Sequence, residues 1–163
     1  RQHAGVVAWL AYVLGVILHH HGVWVDPILA HRAGLLHDLD KIETLDKSMG
    51  HGEMAGEFLE SEGYPQTAEI VRGHIMGTIL DPNADERRWE NKLVFFVDKL
   101  VEGDRLVPFD ERLRALKARY PDYREVMTRA EAGVWALNDS ICEILGIPSH
   151  EDLITMLRES LRG

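Results

Sequence analysis

A chain of 163 residues, 45% hydrophobic and 28% charged, is long enough for one domain that buries about 70% of its unfolded surface. Its net charge of −9 argues against a general surface for nucleic-acid polymers or anionic membranes, because no basic excess is available to replace counterions. The single cysteine, Cys142, excludes an internal disulfide and a Cys-x-x-Cys metal site, fits a reducing, cytoplasmic setting, and reads as a small core residue.

Residues 4–18 form an unbroken run of small and apolar side chains. No Ala-x-Ala-like cleavage site follows it, since the run ends in His19-His20-His21-Gly22, and it falls short of the ~20 residues that a membrane span needs. A helix that is apolar all round is then a buried core helix. Helix one is expected over residues 1–20, with Gly22 as its stop. Asp26-Pro27 is a start signal, Asp as N-cap and Pro at the first helical position, for a second helix over 28–39. Residues 41–50 are polar and irregular, a loop. A third helix is expected over 51–62, ending at Gly63. Pro65 opens a fourth that carries Ala68, Ile70, Val71 and Ile75. Asp81-Pro82-Asn83 marks a turn, and a fifth helix is expected over 85–102. Helical spacing continues over 109–120, broken by Pro121-Asp122, and over 123–145, ended by Gly146. Ser149 with Asp152 three residues later forms a capping box for a last helix reaching residue 162. Period-two alternation is scarce, so strands are not expected. The predicted fold class is all-α, a compact multi-helix bundle forming one domain over 1–163.

The nine histidines are numerous for this length, and their positions are informative. In Leu35-Leu36-His37-Asp38-Leu39-Asp40-Lys41 an imidazole and a carboxylate are neighbours at the end of an apolar run. Adjacent side chains on a helix point about 100° apart and rarely serve one point unless something such as a metal ion sits between their tips. Other metal-capable groups fall at helix ends or inside apolar stretches: His3, His51, His74, and Asp98 within Leu93-Val94-Phe95-Phe96-Val97-Asp98-Lys99-Leu100. A carboxylate flanked by core-type residues needs a compensating cation or hydrogen bonds; Arg72 or Arg105 could supply one. Taken singly, each histidine is more often a partly exposed residue or a helix-end partner than a ligand. His19, His20 and His21 fan around their helix and cannot converge, and His31 and His150 have no companions.

The joint pattern resembles the HD superfamily of metal-dependent phosphohydrolases. Residues 33–41, with His37-Asp38 at their centre, look like that family's central motif, residues 93–101 look like the segment carrying its final aspartate, and the likeness covers about residues 1–107. The likeness does not extend to the tail over about 109–163, which reads as a helical extension. The resemblance implies an HD-type bundle, with His3, His37, Asp38 and Asp98 holding one ion and His51 and His74 adding a second that shares Asp38. The mixed imidazole and carboxylate set suits two divalent ions from Fe, Mn, Co, Ni and Zn more than Mg. The implied activity is hydrolysis of a phosphate ester or anhydride of a small, nucleotide-like substrate, with hydroxide generated between the cations near neutral pH. Asp38 and Lys41 are the catalytic candidates, and Lys41 and Arg72 the candidates for phosphate contact. Asp40 stands where many members have Gly, and either crowds the entrance or adds a carboxylate near the site. The stretch 70–77 is faintly similar to symmetrical dinucleoside tetraphosphatases but lacks their tyrosine and threonine, and the tyrosine motif of cyclic-di-GMP hydrolases is absent. Two other readings stay open: a sensor domain that has lost the chemistry, and a di-iron oxidoreductase on the same fold. The expected partner is a small phosphorylated molecule rather than a nucleic-acid polymer or a membrane, and self-association is left open.

Overall fold

The computed structural model describes residues 2–41 and 50–162. The chain is all-α. Among the described residues there are eight α-helices: α1 (Gln2–His20), α2 (Pro27–Leu36), α3 (Glu53–Ser61), α4 (Pro65–Arg72), α5 (Trp89–Asp98), α6 (Phe109–Arg119), α7 (Arg124–Leu145) and α8 (His150–Ser160). A short antiparallel hairpin, β1 (Val101–Glu102) and β2 (Arg105–Leu106), pairs Val101 with Leu106 and Glu102 with Arg105. No strand was expected from the sequence. The hairpin is two residues a side, too short for period-two alternation to register. The expected loop over 41–50 lies almost wholly outside the described residues.

Capping sets the entry to α2. The Asp26 carboxylate accepts from the backbone N–H of Ile28 and Leu29 at 2.9 and 3.0 Å, and Pro27 occupies the first helical position. The Glu90 carboxylate, fully buried on α5, accepts the Asp26 N–H at 2.6 Å and ties this corner to the central helix. The exit differs from expectation. The helix stops at Leu36, and residues 37–40 close as turns through Leu39 N–H to Leu36 O and Lys41 N–H to Asp38 O. Likewise α5 is shorter than the predicted 85–102, because a 3-10 turn (Ala84–Glu86) precedes it and the hairpin follows it.

The core is built around α5, whose Leu93, Val94, Phe96 and Val97 are fully buried. Each such side chain contributes roughly 1.5–3 kcal/mol through burial. On α1, Val7, Leu10, Ala11, Leu14 and Leu18 are buried in the same core. By length and composition alone α1 is apolar enough to cross a membrane, and its buried residues pack against α2 and α5. Gly34 lets α1 and α2 cross closely, since a Cβ there would lie 2.7 Å from Ala8 Cα. The C-terminal helices join this core through Leu113, Met127, Ala130, Val134, Ile141, Leu153 and Leu157, and Cys142 is buried with them. The Ser149 capping box forms as expected, with its Oγ accepting the Asp152 N–H. His150 is buried beside it, taking the Phe109 N–H on Nε2 and pairing through Nδ1 with Asn138 Oδ1 at 2.7 Å.

Candidate metal centre

The ends of α1, α2, α4 and α5 meet at one point and bring His3, His37, Asp38, His51, His74 and Asp98 into a single cluster. His3 lies in the first turn of α1 and Asp98 is the last residue of α5. His37 and Asp38 follow α2, and His74 follows α4. His51 stands just ahead of α3, where Gly52 takes φ 91° and a Cβ would press within 3.2 Å of Val71 O and 3.4 Å of the His74 ring.

Each imidazole is anchored through Nδ1. His37 bonds to Gly34 O at 2.7 Å, and His74 to Val71 O. Both carbonyls belong to the last turn of a helix, where backbone acceptors lack intrahelical partners. His3 bonds to Gly103 O in the hairpin turn at 2.9 Å, and His51 to the Asp40 carboxylate at 2.7 Å. A backbone carbonyl oxygen only accepts, so the rings of His3, His37 and His74 carry a proton on Nδ1, and all four rings turn Nε2 inward.

The four Nε2 atoms face acceptors. His3 Nε2 lies 3.0 Å from Asp98 Oδ1, and His51 Nε2 lies 2.9 Å from Asp38 Oδ1 and 3.2 Å from His74 Nε2. His37 Nε2 lies 3.5 Å from Asp98 Oδ1 and 3.6 Å from Asp38 Oδ1, and among the described residues this buried atom has no hydrogen-bond partner. Asp38 is central, within 4.0 Å of all four histidines. Two overlapping triads, His3-His37-Asp98 and His37-Asp38-His74, each hold their donor atoms within 4.8 Å of one another. Lone pairs meeting at these distances repel unless protons or cations lie between them, and protons would require imidazolium rings crowded together in a buried space. Imidazole nitrogen and carboxylate oxygen are the donors that divalent transition ions take, so the residue set fits such ions.

Electrostatics agree with the geometry. Burial, with the His37 charge nearby, pushes His74 down to about 3, so its ring is neutral near neutral pH. Burial pulls His37 down as well, but Asp98 and Asp38 override it and leave the ring above its ordinary value. Burial alone would raise both carboxyls. Contacts with His51, His37 and Lys41 instead hold Asp38 well below the usual carboxylate range, and Lys99, His3 and His37 do the same for Asp98.

Lys41 reaches the cluster, its Nζ 2.5 Å from Asp38 Oδ2 and its side chain 45% exposed at the rim. Arg72 does not. Its guanidinium is held by Glu53 at 3.0 Å and Glu60 at 2.9 Å, and it lines a separate cleft of about 590 Å³ with Gln66, Asn91 and Arg87. The expected contact of Arg72 with phosphate at this site gains no support from this geometry, since those glutamates, from α3, hold its guanidinium. Nor does Arg72 or Arg105 compensate Asp98. That role falls to Lys99, whose buried Nζ donates to Asp98 Oδ2 at 2.5 Å and to His74 O at 2.7 Å and lies 4.8 Å from the Phe95 ring centroid. The sequence signal for Lys99 was present, since a lysine beside an aspartate within an apolar run is a charge pair that must be buried together. His19, His20 and His21 are exposed and apart from the cluster, as expected. His31 lies on the outer surface with Trp9, Tyr12 and Ile28.

No protein-family model matches the chain, and no solved structure matches it. An uncharacterized protein of Methanocaldococcus jannaschii (MJ0778) is 27% identical over 155 residues, which cover 88% of each chain.

Proposed function

We propose that the chain is a cytoplasmic metal-dependent phosphohydrolase of the HD type, cleaving a phosphate ester or anhydride of a small, nucleotide-like substrate. The observation that carries this reading is the convergence of four Nδ1-anchored imidazoles, Nε2 inward, on Asp38 and Asp98. His3, His37, Asp38 and Asp98 would hold one divalent ion, and His51 and His74 a second, with Asp38 common to both. Ions of the Fe, Mn, Co, Ni and Zn group would supply Lewis acidity toward phosphoryl oxygens and acidify water at neutral pH. The protein's own part is positioning and exclusion. His37 and His74 are buried and close the inner side of the site to solvent, whereas Asp38, His51 and His3 are part-exposed and face the entrance. Lys41, on the exposed rim, offers an ammonium to an incoming phosphate, its present partner being Asp38. The acidic surface is compatible with an anionic substrate when cations dominate locally.

The test joins elemental analysis of the purified protein to a phosphate-release panel of nucleotides. The wild type is expected to carry a transition metal and release phosphate, and Asp38→Ala to lose both. Full metal content in D38A would refute the site, and metal without any turnover would refute the hydrolase.

A further inference from the structure

Asp40 is a buried carboxylate, 3% exposed, that stands outside the inward-facing ligand set. Its Oδ1 lies 2.7 Å from His51 Nδ1, and its Oδ2 takes the backbone N–H groups of Gly52 and Ala55 at 2.8 and 3.0 Å. One side chain therefore closes the N-terminal turn of α3 and fixes the ring of His51. His3, His37 and His74 rest on backbone carbonyls, so His51 is the imidazole of the cluster anchored by a charged side chain. It is also the most exposed of the four, its side chain 29% accessible against 18% for His3, 3% for His74 and none for His37. Two carboxylates compete for its proton, Asp40 on Nδ1 and Asp38 on Nε2, 2.9 Å away. Asp40 is the more deeply buried and makes the shorter contact, and Asp38 already takes the Lys41 ammonium.

We propose that Asp40 is the positioning residue that holds His51 in its Nδ1–H tautomer, keeping Nε2 free as a ligand for the outer divalent ion. The proposal rests on the two-ion reading above for the ion, though not for the tautomer. An orienting carboxylate also raises the donor strength of the ring it holds, and loss of such a partner typically weakens metal affinity roughly 10- to 100-fold.

Asp40→Asn separates this role from helix capping. The asparagine oxygen can still accept from Gly52 and Ala55, and Asn caps helices about as well as Asp. Its NH2 group must then face His51 Nδ1, which becomes an acceptor and forces the proton onto Nε2. Nitrogen-15 NMR of the metal-free protein, at alkaline pH where the rings are neutral, reads this directly. The wild type is expected to show His51 protonated on Nδ1, and D40N to show it on Nε2 with the other three rings unchanged. Co2+ titration is expected to show the outer ion weakened roughly 10- to 100-fold in D40N and the inner one retained. A wild-type His51 protonated on Nε2 would overturn the proposal whether or not D40N folds. So would a folded D40N whose His51 keeps its proton on Nδ1. The tautomer of the metal-free protein reports on the contest between Asp40 and Asp38 without any ion, and metal content of the wild type reports on the two-ion reading, so the two can fail separately.

Discussion

Replacing Gly34 with Ala tests how the bundle places the centre. The added methyl would lie 2.7 Å from Ala8 Cα and 3.0 Å from Ala8 N, short of the 3.4 Å at which ordinary contact begins. Both atoms are backbone, so relief requires α1 and α2 to separate by roughly 0.7 Å, and a gap of 0.5–1 Å already forfeits a quarter to a half of each contact's attraction. Overpacking of this kind costs about 1–3 kcal/mol, and the better helix propensity of Ala returns about 0.8–1 kcal/mol. The expected net loss is about 0–2 kcal/mol, or a Tm lower by up to roughly 8 °C for a chain of this size. Gly5→Ala is the matched control. It lies on the same helix pair with nothing within 4 Å of its added methyl, and should gain roughly 0.5–1 kcal/mol. Calorimetry of both variants reads the difference. A G34A protein that melts with or above G5A would refute the close crossing. The Gly34 carbonyl anchors His37, so G34A should also bind Co2+ more weakly than G5A.

Lys99→Met leaves the buried Asp98 carboxylate without its ammonium and is expected to destabilise the metal-free protein by about 3–5 kcal/mol, measured by urea unfolding; an unchanged midpoint would refute the pairing. Lys41→Met should raise KM for a phosphorylated substrate several-fold, with the wild-type metal content retained, in steady-state assays. Burial lowers the affinity of His150 for a proton, only partly opposed by Glu151 and Asp110. Its contribution to stability is therefore complete above the ordinary histidine value of 6.5 and is lost as pH falls below it. The urea-midpoint advantage of wild type over His150→Asn should accordingly shrink on acidification, and an advantage that stays constant or grows would contradict the neutral latch.

The helices were legible because local rules govern them: Asp26-Pro27 for α2, Pro65 for α4 and the Ser149 box for α8. The ligand types were legible for a different reason, since a carboxylate such as Asp98 inside an apolar run demands a partner. What the sequence could not supply was long-range geometry. Glu90 on Asp26 and Gly103 on His3 join residues 64 and 100 positions apart, with no local pattern to announce them. Arg72 sits two residues before a cluster histidine, yet α3 presents two glutamates that claim it. Asp40 was visible as an oddity, but its role depends on the return of His51, Gly52 and Ala55 across a segment whose path no propensity specifies.

The anchoring of the four imidazoles bears on how such a centre can change over generations. A carbonyl acceptor is present whatever side chain occupies its residue, so the holds on His3, His37 and His74 are disturbed only by substitutions that move the backbone, as at Gly34. The hold on His51 is encoded in a side chain and can be altered by a single substitution at position 40. His51 is thus the ring whose aim a side-chain substitution alone can reset, while the other three respond to changes in the path of the backbone.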